Sequence, residues 1–98
     1  MIQVDLQAVR QQFAQASQIP DRVIDAATDY FRDITPRRTG NARRRTRRQG
    51  DEIQAVYPYA QRLDEGYSRQ APQGMTEPTQ REIPRILQRE VNRANGNP

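Results

Sequence analysis

The sequence predicts an α+β fold: N-terminal helices, a small antiparallel β-sheet or hairpin, and a C-terminal amphipathic helix. Three observations predict it. Apolar residues recur at three- and four-residue spacing on both sides of the central stretch. In that stretch Ile53, Ala55 and Tyr57 alternate with more polar positions, just after Gly50-Asp51. The 98 residues make one domain at most. The expected order is α-α-β-β, a short turn, then α. Residues 1–35 are read as helical, 36–59 as an Arg-rich loop and β-hairpin, 60–76 as a short turn and contact loop, and 77–95 as the last helix.

Ile2, Val4 and Leu6 alternate with polar residues, a hint of a short extended start. From Leu6 the spacing changes. Leu6, Val9, Phe13 and Ala16 fall on one helical face, and Ile19-Pro20-Asp21 interrupts it. Pro20 suits the first turn of a second helix, and Asp21 its positive dipole end. Val23, Ala27, Tyr30, Phe31 and Ile34 form the stripe of that helix. Asp25, Asp29 and Asp33 form an acidic ridge on it, which Arg22 and Arg32 can partly relieve. Thr35-Pro36 ends it, because a proline disfavours the α region in the residue before it.

Residues 42–49 are polar on both faces, which excludes a buried strand, whereas residues 52–57 read as a half-buried one. Pro58 removes a ladder donor and ends the pairing or confines it to an edge. Residues 59–66 read as one or two helical turns closed by Gly66, and residues 66–75 as a loop. Ile83, Ile86, Leu87, Val91 and Ala94 give the last stripe, and Thr79-x-x-Glu82 fits a capping box. Pro84 then costs a hydrogen bond, or the helix begins nearer Ile83. Residues 95–98 stop the helix and are expected to fray.

Composition narrows function. With the five glycines added to 34% hydrophobic residues, the apolar share is about 39%, against roughly 45–50% in an average globular chain. The apolar residues are periodic, so the shortfall predicts a subunit that completes its packing against others. There is no Cys and no His, which excludes disulfides, thiolate metal sites, His bases and Ser-His triads. No apolar run reaches membrane-spanning or signal-peptide length, so the expectation is a soluble, unprocessed chain with no membrane partner. The adjacent carboxylates Asp51-Glu52 and Asp64-Glu65 do not face one site and read as arginine partners, so no enzymatic activity and no cofactor is expected.

The strongest signal is electrostatic. The net charge is +4, every basic residue is Arg, and seven of the sixteen arginines crowd into residues 37–48. These are Arg37, Arg38, Arg43, Arg44, Arg45, Arg47 and Arg48. Arg pairs bidentately with carboxylate and phosphate, so the block fits an acidic protein partner or a nucleic-acid backbone. A solvated, self-repelling loop is the third alternative; the protein dock is preferred. No aromatic is interleaved to stack bases, so any nucleic-acid binding would be sequence-blind. The long loop at 66–75 suits a rigid contact pad.

Two segments resemble a known family. Thr35-Pro36-Arg37-Arg38-Thr39-Gly40-Asn41-Ala42-Arg43 is similar to a P-x-x-T-G-x-L-R segment. Residues 57–75, YPYAQRLDEGYSRQAPQGM, are similar to the longer and more specific Y-A-x-x-L-E-x-G-x-S-x-Q-A-P-x-G-M. Both belong to the small tail-completion, or head–tail joining, proteins of long-tailed double-stranded DNA phages. Ala42 stands where that family usually has a larger apolar residue, and the following strand is unusually Arg-rich. The resemblance implies a homo-oligomeric ring at the neck of the virion, assembled in the host cytoplasm. The ring would lie between portal or adaptor and tail tube, seal the filled head and surround the DNA channel, with no catalysis. Tyr57, Tyr59, Leu63, Tyr67, Gln70, Pro72 and Met75 are then expected to contact neighbouring subunits or rings. The arginines are expected to meet packaged DNA or an acidic partner. A small basic, sequence-nonspecific nucleic-acid-binding protein is the alternative.

Overall fold

The structure, a computed structural model, describes residues 1–36 and 41–96. The α+β class holds, with three strands and five helices among the described residues. The elements are β1 (Ile2–Asp5), α1 (Gln7–Gln11), α2 (Ile19–Ile34), α3 (Asn41–Arg44), β2 (Thr46–Gln49), β3 (Glu52–Ala55), α4 (Ala60–Asp64) and α5 (Thr76–Ala94).

The sheet is antiparallel with order β1-β3-β2. β3 is the centre: Val4 and Arg48 both pair with Ile53, and Asp5 and Gln49 both pair with Glu52. The two-residue alternation is clean. Ile2, Val4, Thr46, Ile53 and Ala55 are buried on the inner face. Gln3, Asp5, Arg45, Arg47 and Gln49 are exposed on the outer face, beside half-buried Glu52 and Gln54. The N-terminal alternation was therefore a full edge strand, which the expected element order lacked. The turn between β2 and β3 is Gly50-Asp51, with Gly50 at φ 58. A glycine at the first central position with positive φ is what a type II′ hairpin turn requires.

α2 covers the inner face and packs against both the sheet and α5. Val23, Ile24, Ala27 and Phe31 recur at three and four residues, and all are fully buried. Burying a side chain such as Phe31 contributes roughly 1.5–3 kcal/mol. Ser17 Oγ accepts the Ile19 amide at the start of α2 (3.2 Å). Thr35 ends it in extended conformation, at ψ 131 before Pro36. α2 and α5 run antiparallel: Ile34 and Pro78 line one shallow pocket, and Asp29 and Arg89 line another.

Two helical expectations need correction. α1 stops at Gln11, so Phe13 and Ala16 lie outside it; the three-four spacing there continued past the helix by coincidence. α5 begins at Thr76, one residue before the expected 77–95 and ahead of Thr79 and Ile83, and no capping box forms. Thr79 is instead inside the helix, and its buried hydroxyl has no hydrogen-bond partner among the described residues. α5 runs through Pro84, which is exposed and offers no amide to the Gln80 carbonyl.

Candidate contact surfaces

The loop after α4 is built, residue by residue, to hold one shape. Gly66 has φ 89, and it ends α4 in a Schellman arrangement. The Tyr67 amide donates to the Arg62 carbonyl (3.3 Å), and the Gly66 amide to Leu63 (3.1 Å). Ser68 and Ala71 form an isolated β-bridge, and the Gly74 amide donates to the Ala71 carbonyl at 3.0 Å. Gly74 has φ 76, and a Cβ there would collide with the Asp64 carbonyl. A Cβ on Gly66 would collide in the same way with the Pro72 carbonyl. Asp64 completes the structure. Its Oδ1 accepts the amides of Met75 and Thr76 (3.0 and 2.8 Å), and its Oδ2 accepts the Thr76 hydroxyl at 2.7 Å. The start of α5 is thus capped by a carboxylate twelve residues upstream of Thr76. Asp64 has a structural role that its reading as an arginine partner missed.

Tyr59, Leu63, Tyr67 and Gln70, four of the expected contact residues, line one groove of about 620 Å³ with Pro36 and Arg69. Tyr67 is 74% exposed, with the Arg62 guanidinium 5.7 Å from its ring centroid. Pro72 is exposed beside a second, shallower pocket that Gln70 also lines. Tyr57 and Met75 are corrections. Tyr57 is 4% exposed and Met75 is 0% exposed, so both fill the subunit's own core. Tyr57 lies on the inner side of the chain after β3, and Met75 sits where the loop dives into α5. Burial pushes the Tyr57 hydroxyl up to about 12, with Tyr59 and Asp64 adding to the shift. That hydroxyl has no hydrogen-bond partner among the described residues.

The arginine block does not act as a unit. Arg37 and Arg38 lie outside the described residues. Arg43 turns back on α2: its Nη2 donates to the Asp33 carbonyl (2.8 Å) and its Nε to that of Thr35 (3.3 Å). A cation there complements the negative end of the helix dipole. Arg48 also turns inward. It reaches Asp21 (2.7 Å), Asp25 (3.0 Å) and the Gly50 carbonyl (2.8 Å). Arg10 joins the same cluster through Asp21 and Asp51. Hydrogen bonds from Arg48 and then Arg10 hold the Asp21 carboxyl below its usual range. Arg43 and Arg48 therefore make contacts within the subunit. Ala42 is buried in α3, and its carbonyl accepts the Thr46 hydroxyl at 2.7 Å. Arg44, Arg45 and Arg47 remain exposed.

Sequence reasoning also missed a regular feature. Arg81, Arg85, Arg89 and Arg93 follow one another at four-residue intervals along exposed positions of α5. Their spacing was visible, but the apolar stripe of the same helix drew the reading. Arg81, Arg85 and Arg93 are braced by Glu77, Glu82 and Glu90 of the same helix. The exposed Arg81–Glu77 pair is worth a few tenths of a kcal/mol at most, roughly, whereas Glu90 is itself buried. Among the described residues no group of three or more carboxylates could hold a metal, and no helix is long and apolar enough to cross a membrane.

Comparison with protein-family models, curated proteins and solved structures gives no match to this chain.

Proposed function

We propose that this chain is the subunit of a homo-oligomeric ring at the neck of a long-tailed phage, joining the DNA-filled head to the tail. It seals the head or terminates the tail, surrounds the DNA channel and carries out no catalysis. Its partners are its own copies, the portal or adaptor on one side, and tail-tube or other neck proteins on the other. It is assembled in the host cytoplasm into the virion.

The observation that carries this reading is the loop at 64–76. The residues that resemble the phage family, Gly66, Ser68, Ala71, Gly74 and Met75, are the ones that fix its shape. The shape holds Tyr59, Leu63, Tyr67 and Gln70 along one open groove. An enzyme has no evident use for such a pad, but a subunit that must present apolar and aromatic surface to a neighbour does. The low apolar content fits the same reading, since a ring supplies burial that one copy lacks.

Light scattering on the purified chain, alone and mixed with tailless heads, tests the proposal. The expected result is a ring-sized mass, or stoichiometric uptake onto head necks. A monomer that ignores heads but binds DNA in a salt-sensitive manner would replace this reading with the nucleic-acid-binding one.

A further inference from the structure

The connection between α1 and α2 carries apolar residues that the core does not use. Residues 11–20 are the longest run without a charged side chain, in a chain where 29% of residues are charged. Phe13 is half-buried, and Ala14, Gln15 and Ala16 are exposed. The connection is nonetheless shaped. The Phe13 amide donates to the Arg10 carbonyl (3.2 Å), and the Ser17 amide to that of Ala14 (2.9 Å). Ser17 Oγ then accepts the Ile19 amide at the start of α2. A turn thus holds two alanines and one phenylalanine at the surface, with no charge among them.

This connection and the groove of Tyr59, Leu63 and Tyr67 lie at opposite ends of the subunit. The connection leads into the start of α2, whereas Pro36, which lines the groove, follows its end. Sixteen helical residues at about 1.5 Å each put roughly 24 Å between them. The sheet is laid out the same way. Asp21, near the start of α2, meets Arg48 beside the hairpin turn. Arg32, near its end, donates to the carbonyl of Thr46, which pairs with Ala55 at the far end of the strands. The two ends differ in charge as well. Asp5 and Glu52 rim a shallow depression with Gln7 of α1, on the side of the connection. Arg69 lines the groove, and the Arg62 guanidinium lies over the Tyr67 ring.

We infer that the α1–α2 connection of one copy seats in the groove of the next, with Phe13 and Ala16 against Tyr59 and Tyr67. The inference rests on the ring reading and names the surfaces that make the ring. Two different patches at opposite ends of a subunit make a heterologous contact, the kind that closes into a ring by rotation. A charge-free segment suits an aromatic groove, because the buried centre of an interface is depleted in charge and enriched in aromatic rings. Phenylalanine and tyrosine rings also attract each other edge-to-face, beyond the area they bury. At the margin, Arg62 and Arg69 meet the Asp5 and Glu52 end of the neighbour, which sets the direction of docking. A preformed turn entering a fixed loop gives up little freedom on binding.

The chain has no cysteine, so an engineered disulfide reports the contact. Ala16 is exposed and Ser68 lines the groove, so Ala16→Cys and Ser68→Cys are placed together in one chain, and each alone in another. Within one copy the two lie too far apart to be bridged, since a disulfide needs Cα atoms within about 7 Å. Circular dichroism with thermal melting checks that each variant folds. Each is oxidised in solution and after uptake onto tailless heads, then run on a non-reducing gel. The expected result is a ladder of covalent multimers from the double variant, which reduction collapses. An equimolar mixture of the single variants should stop at a dimer, and either alone should stay a monomer. Ala16→Arg, which brings a charge against Arg69, should weaken association or uptake roughly tenfold or more. A double variant that associates or is taken up yet forms no ladder would overturn the inference and leave the ring standing. Ala16→Cys linking to itself as readily as to Ser68→Cys would overturn it as well, because the contact would then be isologous. So would an Ala16→Arg chain that associates as the wild type does. A wild type that neither associates nor is taken up by heads would remove the ring reading and this inference together.

Discussion

The hairpin and the loop after α4 are comparable in length and are held by opposite means. The hairpin is tied to the rest of the subunit by charge. Arg48 and Arg10 bridge Asp21, Asp25 and Asp51, so β2, α1 and the start of α2 meet in one ionic cluster. The loop is tied by backbone geometry: two glycines with positive φ, a Schellman closure, and one carboxylate spanning from α4 to α5. Charge at a partly exposed site is weak, screened by salt and sensitive to pH. Backbone fit at Gly66 and Gly74 is none of these, although the Asp64 carboxylate that joins it is itself charged. The comparison predicts that the loop keeps its shape under conditions that loosen the hairpin.

The largest effect should come from breaking the loop. Gly74→Ala places a Cβ against the Asp64 carbonyl at a backbone angle that L-residues resist. The strain alone costs about 1–2 kcal/mol, and the overlap adds to it, for roughly 3 kcal/mol or more in all. Gly50→Ala is the control, since its φ is also positive but nothing lies near its missing Cβ; its cost should stay near ~1 kcal/mol. Asp64→Ala should fall between them at about 1–2 kcal/mol, the usual loss for a helix cap. Urea unfolding gives all three. Equal midpoints for Gly74→Ala and Gly50→Ala would mean that the close approach to Asp64 does not hold the loop.

These two regions also differ in how far the sequence revealed them. α2, α4 and β3 were legible because their signals are local: apolar spacing, a closing glycine, alternation after a two-residue turn. β1 was only hinted at, because the strand that defines it lies some fifty residues away at Ile53 and Ala55. The start of α5 was read to within a residue, but its cap was missed because Asp64, outside the helix, supplies it. The arginine block read as one surface, yet Arg48 turns inward to Asp21, a contact spanning 27 positions in sequence. Four of the seven loop-side contact residues share a groove, because local chemistry shapes that segment. Tyr57 and Met75 could not be told from their exposed neighbours, since an aromatic or Met beside a loop has the same local pattern whether it points in or out.

The middle effect sharpens the contrast through charge. Arg48→Ala removes the centre of the ionic cluster and should cost about 1 kcal/mol at low salt, less as salt rises. Acid should reproduce part of the loss. The Asp21 carboxyl is held below its unfolded value, near 3.9, by Arg48 and then Arg10. A depressed carboxyl adds stability above that unfolded value and gives it up as pH falls through the folded one. The wild type should therefore lose stability on acidification below about pH 4 more steeply than Arg48→Ala does. Urea midpoints at pH 7, 4 and 3, in low and high salt, decide this. Parallel acid profiles for the two chains would separate Asp21 from Arg48.

The smallest effect lies where the two regions meet. Tyr57 follows β3, and its ring centroid is 4.8 Å from that of Tyr59, which lines the groove. Its hydroxyl is buried without a partner among the described residues, so Tyr57→Phe should stabilise the subunit by up to about 1 kcal/mol at pH 7. The alkaline limb gives a second reading. The folded chain holds the phenol proton up to about 12, whereas the unfolded chain releases it near 10. Between those values the unfolded state binds fewer protons, so wild-type stability falls as pH rises through this window, and that part of the fall is absent in Tyr57→Phe. Thermal melting at pH 7, 9 and 10.5 measures both. A Tyr57→Phe chain less stable than the wild type at pH 7 would mean that the hydroxyl is bonded after all. The floor beneath Tyr59 would then be held by a polar contact as well as by packing, and the contrast between a charge-tied hairpin and a backbone-fitted loop would end at Ala55.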